Sequence, residues 1–273
     1  MTIGFNYFIS SGRKFIIAAA VLTMAISFAR SASAQGPKVF QAAGPNTASI
    51  QSTIDQFRTA LGGVNNNNNP GPLDSGRREI NWDGGGSLAT SQGPTPFDVF
   101  LNNRGNRSTT PGTGFVQATP AGLAELFGVP SYTTIFQPFS PSRVFSAIGS
   151  NVSEETFFVP GTAGATVAAT KGFGVIFTDV DQPDGGGPTT KRGNRHASTL
   201  IEYFDAQGNA LFSSFAPASP GDGGLSFIGI VLNDARIASV RITSGGSALG
   251  VDDDTDDVVV MDDFIYGEPQ AIK

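Results

Sequence analysis

The sequence predicts an all-β fold, an antiparallel jelly-roll-like β-sandwich with one N-terminal helix. Three observations carry this. About a dozen short apolar or alternating runs are punctuated by Gly, Pro, Asn and Asp, the punctuation of strands and turns. Only one long stretch, 46–63, shows a helical stripe. No fixed period repeats along the chain, which counts against a propeller or a solenoid. With 273 residues, 39% hydrophobic and 10% aromatic, the chain can fill the core of one large domain.

Residues 1–34 read as a signal peptide. Arg13 and Lys14 form its positive end, 15–29 is apolar and uncharged, and Ala32-Ser33-Ala34 offers the small residues that precede cleavage after Ala34. The apolar stretch falls short of the roughly 20 residues that a spanning helix needs. A secreted or extracytoplasmic protein is expected, with no transmembrane segment in the mature chain. Cleavage would remove Arg13, Lys14 and Arg30 and leave a product more acidic than the formal −6 of the whole.

Residues 35–75 hold the helix and an Asn/Pro/Gly linker. Ile50, Ile54, Phe57 and Leu61 share one helical face, Asn46 or Thr47 caps the start, and Gly62-Gly63 ends it. Asn65 to Asn69 and Pro70-Gly71-Pro72 then break it. The β-sandwich domain is expected over 76–270. Its early strand candidates are 79–82, 97–101, 114–117, 133–136 and 144–148. A short helix over 120–127 has Thr119 as cap and Gly128 as stop. Later strands are 154–160, 171–179, 198–204, 210–215, 225–232, 236–243 and 257–266. The pair 198–204 and 210–215 forms a hairpin, and 225–232, apolar on both faces, is central.

Several segments carry a resemblance: GRREINWDGGG at 76–86, PGTGF at 111–115, FFVPGT at 157–162 and GFGVIFTDVD at 172–181. SFIGIVL at 226–232, RIASVRITSG at 236–245 and VVVMDDFIYGEP at 258–269 continue it. Over about residues 46 to 270 the chain resembles a group of uncharacterised secreted bacterial β-sandwich proteins, similar to domains found in some PEP-CTERM-associated exported proteins. The resemblance implies a jelly-roll-like exported domain and brings no catalytic residues with it.

Composition excludes several chemistries. Without cysteine there is no disulfide scaffold, thiol nucleophile or thiolate metal site, and one histidine, His196, cannot build a multi-histidine centre. The acidic balance argues against nucleic acid as a partner. Carboxylates are the rich supply. Asp179, Asp181 and Asp184 in DVDQPDGGG resemble an Asp-rich calcium loop, though not the spacing of an EF-hand, or else form a solvated turn. Asp252, Asp253, Asp254, Asp256 and Asp257 form a charge run read as an exposed loop.

Asp262 and Asp263 are consecutive in an apolar strand, so their side chains are expected on opposite faces, with one against the core. They are read either as calcium ligands or as carboxylates paired with Arg241 or Arg236. Structural calcium is thus the suggested cofactor, with Asp179, Asp181, Asp262 and Asp263 as candidate ligands. Trp82 and Tyr132 are candidate sugar platforms, with a core position between Ile80 and the Gly84–Gly86 turn as the alternative for Trp82. His196, with Lys191, Arg192 and Arg195, lies in a basic loop. Arg77 and Arg78 beside Glu79 read as local ion pairs.

The expected function is a non-catalytic extracellular binding or surface-matrix module, for extracellular polysaccharide or cell-surface glycan. No complete catalytic set or nucleophile turn is present. The alternative is a secreted glycoside hydrolase or polysaccharide lyase using paired carboxylates, such as Glu202 with an Asp.

Overall fold

Local chemistry sets the helices. The computed structural model describes Met1 and residues 36–181, 199–250 and 257–272, and its strands and helices lie in one unit, Gln35–Lys273. In chain order they are β1 (Lys38–Gly44), α1 (Thr47–Ala60), β2 (Arg77–Ile80), β3 (Ser91–Gly93), α2 (Leu101–Arg104), β4 (Asn106–Thr109), β5 (Gly114–Ala118), α3 (Pro120–Phe127), α4 (Tyr132–Ile135) and β6 (Val144–Ile148). There follow β7 (Val152–Phe158), β8 (Val167–Ala169), β9 (Gly172–Thr178), β10 (Leu200–Phe204), β11 (Ala210–Phe215), β12 (Leu225–Val231), β13 (Ser239–Thr243), β14 (Val260–Gly267) and β15 (Gln270–Ala271). The Asn46 side chain accepts from Ser49 N–H at 3.2 Å to cap α1. Thr119 caps α3 in the same way at 3.0 Å, and Gly128 closes it in the left-handed conformation.

The strands form two antiparallel sheets packed as a sandwich. One contains the run β6-β14-β9-β12 and the other the run β7-β13-β10-β11. The chain alternates between them so that β6 pairs β14, β7 pairs β13, β9 pairs β12 and β10 pairs β11. That wrapping is a jelly roll. The first sheet is extended by β1 beside β12 and by β5 and β3 beside β6; the second is extended by β4 beside β7. Because β1 pairs along its length with β12, the segment 35–75 contributes a strand to the sandwich as well as its helix and linker.

Burial differs between the sheets. Between them lies the main core, built on Phe145, Phe157, Phe173, Phe177, Phe264 and Tyr266. The outer face of the first sheet is covered again. Ile50, Ile54, Phe57 and Leu61 of α1 and its end pack on Ile176, Phe227 and Ile265, each fully buried side chain contributing about 1.5–3 kcal/mol. The Phe57 ring approaches because Gly174 and Gly229 face each other on adjacent strands. A Cβ on either would come within 2.8 Å of that ring. α3 and α4 cover a neighbouring patch through Leu123, Tyr132 and Phe136. No described helix packs on the outer face of the second sheet.

Two expected strands are not strands. Residues 133–135 lie in α4 and Phe136 ends it in extended form; the Tyr132 and Phe136 rings meet at 4.8 Å in the core under α3. Residues 97–101 make one isolated bridge, Phe97 to Ser108, and then turn into α2. In both places an aromatic and β-branched run too short to show a period is folded by the rings it buries.

Candidate functional site

The open face of the second sheet assembles residues from four strands. Inward side chains are Ile201, Tyr203, Val240, Ile242 and Phe157, so alternation turns their neighbours outward. Antiparallel register aligns Glu202, Arg241, Glu154 and Thr109 in one row across β10, β13, β7 and β4. Phe204, Ser239, Thr156 and Arg107 form the next row. Over the Arg241, Glu154, Thr109, Ser239, Thr156 and Arg107 part of these rows lie two depressions, of about 790 Å³ and about 490 Å³, which share Thr109 and Glu154 and so form one trough, with Glu202 and Phe204 beside it.

Both guanidiniums of this trough have carboxylate partners. Arg241 Nη2 lies 3.6 Å from Glu154 Oε2, and its guanidinium sits 5.6 Å from the Phe204 ring centre. Arg107 donates to both oxygens of Asp98, at 2.7 and 2.8 Å, and lies 5.0 Å from the Phe158 ring centre. The hydrogen bond from Arg107 holds Asp98 below the usual carboxylate range. Asp205, at the rim, accepts from Asn209 Nδ2 at 3.0 Å, Asn209 N at 2.8 Å and Gln207 N at 2.9 Å. Those bonds, Asn209's first, lower its pKa and shape the turn between β10 and β11.

Of the candidate calcium ligands, Asp262 and Asp263 are brought together, and not as the strand spacing implies. Met261 pairs with Phe177 and Phe264 with Val175, so β14 carries one extra residue there, a β-bulge. Met261 and Phe264 both enter the inter-sheet core, and both aspartates reach the opposite side. The Ser140 hydroxyl lies 2.7 Å from Asp263 Oδ1, 3.4 Å from Asp262 Oδ1 and 3.2 Å from Asp83 Oδ2.

Asp262 Oδ2 also accepts from Phe139 N at 2.6 Å. One hydroxyl donates one proton, so Ser140 cannot satisfy all three carboxylates at once. Burial, then the Asp263 charge, raises Asp262 well above the carboxylate range, and burial raises Asp263. The nearby cation is Arg58 of α1, 4.0 Å from Asp263. Arg236 pairs with Asp234 and Arg241 with Glu154 instead.

Asp179 and Asp181 serve elsewhere. Asp179 adopts φ 72° and donates its N–H to Gly224 O at 2.9 Å, while Asp181 Oδ1 accepts from Gly221 N at 3.0 Å. Among the described residues no group of three or more His, Cys, Asp or Glu side chains is placed to hold a metal ion.

Trp82 and Tyr132 are core residues, not exposed platforms. Trp82 stacks on Phe145 at 3.6 Å and donates to Asp262 O at 3.0 Å. Tyr132 donates to Gly250 O at 2.6 Å. Arg77 pairs with Glu79 as expected, whereas Arg78 is fully buried against Glu268, bonding both its oxygens at 2.7 Å. Asp184, Lys191, Arg192, Arg195, His196, Asp252, Asp253, Asp254 and Asp256 lie outside the described residues, as do residues 2–35, which hold all but Met1 of the expected signal peptide 1–34.

Sequence reading missed Glu154, Arg107, Asp83 and Ser140. The two trough residues follow the alternation of their strands, but their neighbours come from partners distant in the chain. Asp83 and Ser140 lie in loops with no periodic signal. Comparison with protein-family models, with curated proteins and with solved structures finds no match.

Proposed function

We propose that the protein is a non-catalytic glycan-binding module whose binding surface is the trough on the second sheet. The observation that carries this is the paired double row: Glu202, Arg241, Glu154 and Thr109 beside Phe204, Ser239, Thr156 and Arg107. It presents many hydrogen-bonding groups on rigid strands, so little order is lost on binding a hydroxyl-rich chain. Both guanidiniums already have carboxylate partners, which favours neutral polysaccharide over strongly acidic chains. Strand register alone places these groups, so the reading does not require a calcium ion.

With residues 1–34 as a signal peptide, the ligand is an extracellular polysaccharide or cell-surface glycan, in keeping with the resemblance to exported bacterial sandwich domains. The hydrolase alternative pairs Glu202 with an Asp; no Asp shares its row, and the carboxylate that does, Glu154, lies two strands and about 9.5 Å away at the backbone. Arg241 stands between them, where a scissile bond would have to lie.

Affinity electrophoresis in soluble neutral and acidic polysaccharides tests the proposal. Retardation by a neutral polymer, reduced at least tenfold by Arg241→Ala or Glu154→Ala, is expected. No retardation in any polymer, or retardation indifferent to both substitutions, would overturn it. Release of reducing ends would favour the hydrolase.

A further inference from the structure

Glu155 is a buried carboxyl that the trough does not use. It lies on β7 between Glu154 and Thr156, which face the trough, and so points into the sandwich, where it is fully buried. Its Oε2 accepts from Ser108 Oγ at 2.5 Å and from Asn106 Nδ2 at 3.0 Å, and its Oε1 has no hydrogen-bond partner among the described residues. Burial, opposed by these two hydrogen bonds, pushes its pKa up to about 7, and Glu154 adds to the rise. Facing it from β14 is Tyr266, which also feels Arg104, Arg78 and Glu268. Arg78 and Glu268 are bonded to each other.

Both residues that hold Glu155 belong to β4. Asn106 and Ser108 are its buried positions, and the alternate residues Arg107 and Thr109 wall the trough. β4 has only four residues, with one ladder to β7 and a single bridge to Phe97. It is thus a short strand of the wall, and both residues that hold Glu155 move with it.

We propose that Glu155 is a proton-operated latch on β4. With its proton, Glu155 is neutral in the core, accepts from Ser108 and Asn106 through Oε2, and keeps the trough wall closed. Without it, a carboxylate with one oxygen unpartnered in the core favours opening of β4 to water. The folded pKa lies above the 4.5 of an exposed glutamate, so the latch is fully effective below about pH 4.5 and is lost as pH rises through about 7. Its consequence, weaker ligand binding above neutral pH, rests on the trough reading; the latch itself is measured without ligand.

Hydrogen exchange of the full chain at pH 5 and pH 7, corrected for the intrinsic rates, provides the test. Protection of the amides of 106–109 should fall more than tenfold over this range, and should stay flat in Glu155→Gln. Protection that is flat in the natural protein, or that falls equally in the variant, would overturn the latch. Should the variant not fold, the carboxyl ¹³C shift of Glu155 decides. A titration near 7 followed by the 106–109 resonances supports the latch; a midpoint near 4.5, or resonances that ignore it, refutes it. Polysaccharide binding with a flat exchange profile would sink the latch alone, and a working latch without binding would sink the trough reading alone.

Discussion

Asp262 and Asp263 are consecutive in β14, yet both carboxylates reach one hydroxyl, that of Ser140, at 3.4 and 2.7 Å. The bulge that permits this joins the central strand to the loop after α4 and, through Arg58, to α1. Ser140→Ala removes the hydroxyl that bridges three close carboxylates. A loss of about 1–3 kcal/mol is expected, as for a buried polar group left unsatisfied, measured as a lower urea midpoint at unchanged slope.

The Arg78–Glu268 pair should respond asymmetrically. Glu268→Gln leaves a fully buried guanidinium without its charge partner and should destabilise by about 3–5 kcal/mol. Replacing both residues with apolar ones of similar size should cost clearly less than the single change. Urea unfolding of the single and double variants compares them directly.

Glu155→Gln should make stability less dependent on pH. Because its folded pKa is raised to about 7 from 4.5, Glu155 withdraws about 3 kcal/mol as pH rises across that window. The variant should therefore gain on the natural protein at pH 8 relative to pH 4. Denaturation midpoints of both proteins at the two values provide the check.

Gly229→Ala should loosen the first sheet's cover. The new Cβ would lie 2.8 Å from the Phe57 ring, and Gly174 backbone closes the other side at 3.0 Å. Overpacking of this kind costs about 1–3 kcal/mol. The expected readout is a lowered midpoint together with faster amide exchange in α1.

Arg241→Ala should leave stability within about 0.5 kcal/mol, because the Arg241–Glu154 pair is solvent-exposed. A large drop in its thermal midpoint would show that the trough residues hold the sheet together instead of presenting a binding surface.

Signals confined to one turn or one strand were legible in the sequence. Thr119 and Gly128 bound α3, and the spacing of Ile50, Ile54, Phe57 and Leu61 marks the face that α1 buries. Strands β6 and β11 have the limits their apolar runs suggest. Short elements escaped: β4 and β8 carry too few residues to show a period, and 133–135 took helical form between the Tyr132 and Phe136 rings. The sites needed more than period. Alternation tells which face a residue of β7 or β13 occupies, but not which strand lies beside it, so the row from Glu202 to Thr109 arises only when four strands pair. The same rule assigned Asp262 and Asp263 to opposite faces. One inserted residue, set by pairing with β9, turned both toward Ser140, because register is a property of two strands and a sequence window contains one.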